Sequence, residues 1–382
     1  MRNVYLDNAA TTQIRQSVVE KMNEALCTHY GNPSSSHNMG RLANNGIQST
    51  RKTIAQYLNA KPSEIIFTSG GTEGDNMVLR CAIRDLGVAT LITSKIEHHA
   101  VLHTAQELEK ELGVRVQYVN LNAYGEPDLE HLEELLSSGE EKKLVSLMHV
   151  NNEIGNITDV NTIAKCCDVH NALFHSDAVQ SVGHFPWDVQ QTKVTYLTAA
   201  AHKFHGPKGI GFIYVRKGYE LKPLIIGGAQ ENGQRGGTEA HHNIIGLENA
   251  MIGAYENLEE ERAHITGLKQ YFINALRQAI PNVEFNGRSG DFEKSTYTLV
   301  NVRFPFNAQK GLMLLFHLNL KGIACSKGSA CQSGNTMGSH VLNEILDETE
   351  RHKPSLRFSF SKYNTPADID YTVQILAEFA NS

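Results

Sequence analysis

The chain has 382 residues, with 35 Lys and Arg against 41 Asp and Glu and a formal net charge of −6, a balance that excludes a basic clamp for nucleic acid. Hydrophobic residues make up 41% and charged residues 20%, which excludes disorder, collagen and coiled coil, and no apolar run reaches the ~20 residues of a membrane span. At roughly 150 residues per domain the length predicts two domains with a core large enough to need no staples, so the six cysteines are expected as reduced thiols.

The first residues, MRNVYLDNAATT, have neither a basic n-region nor an apolar h-region, and a cytoplasmic protein is expected. From about residue 50 to 220, short β-rich apolar runs alternate with helically periodic stretches. The runs are Ile65–Thr68, Leu91–Thr93, Val114–Val119, Leu144–Val150, Leu173–His175, Val194–Leu197 and Ile210–Val215. Helices are expected over Gly46–Leu58, Glu73–Asp85, Ala100–Leu112 and Thr162–Asn171. That alternation predicts an α/β fold with a helix-covered, largely parallel sheet joined by crossovers. A long charged helical pattern over Leu247–Leu276 then links a large domain, expected over residues 14–255, to a smaller one over 256–382 that residues 1–13 complete.

Three strand ends carry chemistry. EIIFTSGGTEGDN (residues 64–76) runs from a strand through Gly70 and Gly71 to Thr72 and a helix start, a turn that aims free backbone N–H groups at an anion, usually phosphate. An ordinary βα turn needing glycine reads the same way. In HSDAVQS (175–181) Asp177 closes an apolar run with Gln180 nearby, where α/β proteins place ligands, although a lone Asp there also serves as a helix cap. In TAAAHKFHGPKG (198–209) a strand leads to Lys203 among small and apolar residues. Desolvation of that amine favours its neutral form, which can join an aldehyde, while a solvated loop lysine is the bland alternative. Together the three supply what pyridoxal 5′-phosphate (PLP) requires: a phosphate anchor, a partner for the ring nitrogen and an imine-forming amine. A fourth segment, GIACSKGSACQSG (322–334), is too rich in Gly and Ser for a regular element, and its Cys331 is expected on a loop as a reactive thiol. Cys325 is expected to be packed. The histidine pairs His98-His99, His202 with His205, and His241-His242 lack zinc-site spacing, and no metal is expected.

Ten motifs in order carry a resemblance over residues 4–372: YLDNAATT, YGNPSS, SGGTEGDN, EHHAVL, HVNNEIG, DAVQSVG, HKFHGPKGIG, RGGTE, GSAC and LRFSF. They resemble the PLP-dependent cysteine desulfurases, the NifS/IscS type within the class-V aminotransferases. The resemblance implies fold type I, a large domain with a seven-stranded mainly parallel sheet plus a smaller α/β C-terminal domain, and a homodimer. It implies L-cysteine as substrate, L-alanine as product, a persulfide on the enzyme, and sulfur supply for iron–sulfur clusters or other thio-cofactors through an acceptor protein such as a scaffold. Selenocysteine lyase, another class-V aminotransferase and a non-catalytic sulfur carrier are the rival readings.

By position, Lys203 matches the lysine joined to the cofactor, Asp177 the carboxylate at the ring nitrogen, and Gln180 and Asn152 the partners of the ring hydroxyl. His98 matches the stacked histidine and is the candidate for proton handling. Gly71, Thr72 and His202 match the phosphate end, and Thr238 is expected to reach the phosphate held by the other subunit. Asn32 and Arg357 match the pair on the substrate carboxylate, and Cys331 matches the sulfur acceptor. Three departures stand out. Ala200 replaces the usual phosphate-binding serine, Gly237 replaces the serine of RSGT, and the chain stops at Ser382, short of the tail with which housekeeping members contact a scaffold.

Overall fold

The computed structural model describes residues 2–327 and 338–382. After β1 (Val4–Tyr5), α1 (Gln16–Thr28) and α2 (Asn38–Leu58), strands and helices alternate: β2 (Ile65–Thr68), α3 (Gly71–Leu86), β3 (Thr90–Thr93), α4 (His99–Leu112), β4 (Arg115–Tyr118), α5 (Leu129–Ser137), β5 (Lys143–Ser146), α6 (Val160–Val169) and β6 (Leu173–Asp177). Two further strands, β7 (Tyr196–Ala200) and β8 (Gly211–Val215), complete a seven-stranded sheet of order β2-β8-β7-β6-β5-β3-β4. Most of its strands are buried on both faces, which is why their sequences read as continuous apolar runs without alternation. Edge strand β4 is less buried and carries Arg115 and Gln117, polar groups that blunt an open edge.

Only β8 runs against the others, pairing antiparallel with both β7 and β2. The reason is local: β7 and β8 are joined through a short hairpin connection, not a crossover helix, and its bend uses positive φ at His205 and Gly209. Every other pairing in the sheet is parallel, so the carboxyl ends of β2, β3, β5, β6 and β7 share one edge. Strand β5 ends at Ser146, short of the expected Val150; Leu147 and His149 still donate backbone N–H groups to His175 and Asp177 at 3.2 and 3.0 Å, while Met148 and Val150 line a cavity.

The helical pattern expected over Leu247–Leu276 is two helices, α7 (His241–Glu256) and α8 (Leu258–Ala279). Asn257, at φ −109 and ψ 14, breaks them, and its side chain caps the Gly253 carbonyl at 2.8 Å. The break lets the two apolar faces serve different cores. Leu247, Met251 and Ala254 pack with the large sheet, whereas Leu268, Phe272 and Leu276 pack with the C-terminal elements. Those elements are β9 (Glu284–Phe285), β10 (Leu299–Arg303), α9 (Ala308–Leu320), β11 (Ile323–Ala324), α10 (His340–Ile345), α11 (Glu348–Arg351), β12 (Ser355–Ser359) and α12 (Pro366–Asn381). β9, β10 and β12 form an antiparallel sheet, and β1 pairs parallel with β11. Val4 and Leu6 are fully covered in this second core. Burial worth roughly 1.5–3 kcal/mol for each side chain ties the N-terminal segment there and carries residues 7–12 across toward the large sheet. No helix among the described residues is long and apolar enough to cross a membrane.

Candidate active site

The β2–α3 turn begins at Gly70, whose φ of +154° is open to glycine and strained for side-chain-bearing residues. Next to it, a Cβ on Gly71 would meet Val179 Cγ2 at 2.7 Å, so only glycine lets this turn lie against the end of β6. The result is a helix start with unpaired N–H groups, Gly71 and Thr72 in its first turn, facing one end of a cavity. Glu73 accepts from the Ser69 N–H at 2.8 Å and pairs with Arg235 at 2.9 Å, which fastens the turn to a neighbouring loop and holds the Glu73 carboxyl below its usual range against the effect of burial.

Asp177 ends β6 and is 6% exposed. One carboxylate oxygen accepts from the Val179 N–H at 2.9 Å. Burial pushes its pKa up to about 6, while that hydrogen bond and the Lys203 charge favour the anion. His98 precedes α4 and caps it, Nδ1 accepting from the Ala100 N–H at 3.1 Å. A ring nitrogen that accepts carries no proton, so the ring proton sits on Nε2. Burial first, then the Lys203 charge, holds His98 down to about 4, and the imidazole is neutral at physiological pH.

Lys203 sits just beyond β7 on the hairpin to β8. Its Nζ donates to the carbonyls of Ala9 and Ala10 at 2.6 and 2.9 Å, so the segment YLDNAATT is the floor on which the amine rests. Gln180 Nε2 donates to the same Ala9 carbonyl at 2.9 Å. His202 meets Thr11 Oγ1 at 3.3 Å and is held down to about 4, chiefly by burial. From the C-terminal core, Arg357 on β12 reaches the cavity almost wholly buried. Its Nη1 donates to the Asn152 carbonyl at 2.6 Å and its Nη2 to Asp7 at 2.9 Å. Asn152 keeps a buried side-chain oxygen with no hydrogen-bond partner among the described residues.

One cavity of about 280 Å³ gathers these groups: Gly71, Thr72, His98, Asn152, Asp177, Gln180, His202, Lys203 and Arg357 all line it, with Ala200 in the wall. Two expected residues lie elsewhere in the single chain. Thr238 borders a separate hollow of about 220 Å³ with Ser69 and Arg235, and Asn32 is exposed in the α1–α2 loop, its Oδ1 accepting from the Ser34 N–H at 2.9 Å. Cys331 and the motif GSAC lie outside the described residues. The ends that flank them are fastened beside the cavity. Ser326 exchanges backbone hydrogen bonds with Arg357 at 2.7 and 3.2 Å, Ser339 Oγ bonds Glu153, and His340 Nε2 meets the Glu97 carbonyl at 2.9 Å. Cys325 is partly buried and its thiol is pushed far above the usual range, mainly by burial, an inert environment.

Sequence reasoning gave no role to Asp7, to the carbonyls of Ala9 and Ala10, or to Asp75. Asp75 lies three residues after Thr72 on α3, the spacing that puts two side chains on one helix face. It lines the same cavity.

Comparison with known proteins identifies the family. Residues 4–372 match a family described as aminotransferase class-V. A protein of Dictyoglomus turgidum named cysteine desulfurase IscS is 41% identical over 377 residues, covering 98% of this chain and 94% of that one. A solved structure titled NifS-like protein superposes with a TM-score of 0.90 at 35% identity, covering 100% of both chains. Another, titled SspA in complex with cysteine, gives 0.82 at 33% identity over 95% of this chain and 100% of that one.

Proposed function

The chain belongs to the class-V aminotransferases as a cysteine desulfurase, and from that membership we propose that it converts L-cysteine to L-alanine with PLP as cofactor and Cys331 as the first sulfur acceptor. The observation that carries the reading is the meeting of the Lys203 amine, the buried Asp177 carboxylate, the His98 ring and the Arg357 guanidinium around one cavity.

The donor set fits the cofactor. The first turn of α3 offers N–H groups to a phosphate, with the Thr72 hydroxyl and His202 beside it. Asp177 offers a negative charge to a protonated ring nitrogen, and the unpartnered Asn152 oxygen with Gln180 suits a ring hydroxyl. Lys203 is the amine to hold the aldehyde carbon. Bound there, PLP supplies a carbonyl that captures the substrate amine and a ring that takes up the electron pair released at Cα.

The side chains then have distinct tasks. Arg357 receives the substrate carboxylate through its guanidinium fork, and its fixed plane orients the amino acid. Lys203 Nζ takes the Cα proton and returns it, general acid–base work worth about 100- to 10,000-fold in rate. Asp177 would hold a fixed negative charge for the ring nitrogen. His98, neutral at physiological pH, would lie against the bound group and exchange a proton at Nε2. The Cys331 thiolate attacks the substrate Sγ, so that the S–S bond forms as the Cβ–Sγ bond breaks; the persulfide stays on Cys331 and the three-carbon remainder leaves as alanine after protonation.

The reading carries with it a cytoplasmic homodimer in which Thr238 serves the partner's phosphate site, and a protein that accepts the persulfide sulfur, such as an iron–sulfur scaffold. Its test is mass spectrometry of the full chain after L-cysteine: one added sulfur on the peptide containing Cys331 is expected, and sulfide release without that mass would overturn it.

A further inference from the structure

Among the described residues, Asp75 is the one titratable group in the cavity wall that the mechanism leaves without work. It is 1% exposed, and neither of its carboxylate oxygens has a hydrogen bond of ordinary geometry among the described residues. Its side chain and those of Asp177 and His98 bring polar atoms within 4.8 Å of one another. The groups facing it come from every side. From β6 come Asp177 and His175; from β7 comes the Thr198 hydroxyl; beyond β3 stand Glu97 and His98. His175 Nε2 lies 3.5 Å from Asp75 but is spoken for, since it meets Thr198 Oγ1 at 3.0 Å while Nδ1 meets Ser146 Oγ at 2.9 Å. His175 and His98 are both held neutral by burial, and Glu97, itself pushed up to about 8 by burial, brings no compensating positive charge.

Two fully buried carboxylates this close cannot both be ionised, so the pair keeps a proton. The surroundings decide which member keeps it. Asp177 has the Val179 N–H and the Lys203 charge to support an anion. For Asp75 only the Thr198 hydroxyl favours the anion, and burial together with the Asp177 charge outweighs it and raises the carboxyl well above the ordinary range.

We propose that Asp75 is a positioning residue that holds the proton of the pair: as a neutral acid it donates toward the Asp177 carboxylate, keeps Asp177 ionised in its buried position, and so fixes the charge that faces a bound pyridine nitrogen. Where the proton sits is independent of the cofactor; what the proton is for rests on the PLP reading.

The test has two arms on the full-length protein. In the first, infrared spectra at neutral pH follow the carbonyl stretch of protonated carboxylic acids. Glu97 contributes in every variant, so the informative component is the one that Asp75→Asn removes. That component is expected in the wild type and in Asp177→Asn, and absent from Asp75→Asn. A component lost in Asp177→Asn and kept in Asp75→Asn, or absent from the wild type, overturns the assignment. In the second arm, PLP affinity is measured by absorbance titration. Asp75→Leu removes the donor and is expected to weaken binding by about tenfold or more, the size of a hydrogen bond to a charged group. Asp75→Asn, whose amide restores a donor, is expected to recover most of the loss. Wild-type affinity in Asp75→Leu, or an Asp75→Asn as weak as Asp75→Leu, overturns the role. Should the wild type itself bind no PLP, the cofactor reading fails while the infrared arm still locates the proton.

Discussion

Asp7 and Arg357 form an ion pair of 2.9 Å that bridges the N-terminal segment and β12 beside the cavity that Arg357 lines. Arg357 is 2% exposed in its side chain and Asp7 19%, so the pair is shielded and its geometry matters more than that of a surface pair. Asp7 holds one arm of the fork and the Asn152 carbonyl the other, which fixes the guanidinium plane before any substrate arrives.

Asp7→Ala is therefore expected to raise KM for L-cysteine by about three- to tenfold, with the loss falling on KM more than on kcat, because a guanidinium that must be reoriented loses part of its preorganised hydrogen bonding. Asp7→Asn keeps an acceptor oxygen and is expected to lose less. Steady-state kinetics on both variants decide; equal damage from the two, or a change confined to kcat, would count against a positioning role for Asp7.

Replacing Lys203 removes the amine that rests on the Ala9 and Ala10 carbonyls. Lys203→Ala is expected to lose activity by at least about 100-fold, the lower end of what a positioned acid–base group supplies, and to leave no pyridoxyl label on the residue 203 peptide after borohydride reduction. Retention of the label would move the attachment to another lysine.

The pH dependence of stability arises from histidines that the fold buries in neutral form. His149, wedged edge-on against Phe185 and Trp187, is held to about 4, His175 to about 3, and His98, His202 and His205 to about 4, in each case by burial first. Unfolded, these rings protonate near 6.5, so between about 6.5 and 4 the unfolded chain binds protons that the folded chain refuses. Their contribution is complete above about 6.5 and is lost as the pH falls toward 4. Asp177, raised to about 6, Glu97, raised to about 8, and Asp75, raised well above its usual range, act in the other direction, costing stability as the pH climbs from their unfolded values, so they offset part of the histidine effect. Melting temperatures are expected to drop steeply between neutral pH and about pH 5 and to change less on the alkaline side. A flat acid limb would mean that these rings are not buried as neutral groups.

The strand ends were legible in the sequence because parallel strands buried on both faces read as apolar runs, and a residue that interrupts such a run stands out: Asp177, Lys203 and Gly70-Gly71 each do so. The family motifs then supplied Asn152, His98 and Arg357, none of which has a local signature. The hidden part was set by long-range packing. Asp7 acts only because β1 pairs with β11 and brings it beside Arg357, 350 residues away in sequence. Asp75 looked like a helix residue because nothing local marks the closeness of β6. The break at Asn257 was missed since Asn in a charged helical pattern breaks no periodicity; two cores pulling on two faces decide it.

Cys331→Ser is expected to keep PLP absorbance and to abolish persulfide formation. Among the described residues, Ser326 is bonded to Arg357 and His340 to the residue before His98, which ties both neighbours of the GSAC segment to groups of the cavity wall. Undiminished sulfide release by the variant would sink the assignment of Cys331.

Ala200 offers the sharpest test of the phosphate end. Its Cβ lines the cavity, and a Cβ on Gly71 would lie 3.9 Å from it, so position 200 stands against the first turn of α3, where the family usually has a serine. Ala200→Ser adds one hydroxyl there without crossing the wall, since the side chain faces the cavity. A hydrogen bond to a charged group contributes about 1.5–3 kcal/mol when it replaces nothing, which predicts PLP binding tighter by roughly tenfold or more. If an ordered water already bonds the phosphate at this point, the hydroxyl displaces it and the gain shrinks to the immobilisation entropy of that water, about 0–2 kcal/mol. Equilibrium dialysis of PLP against both proteins separates the cases, and weaker binding by Ala200→Ser would place the phosphate away from the start of α3.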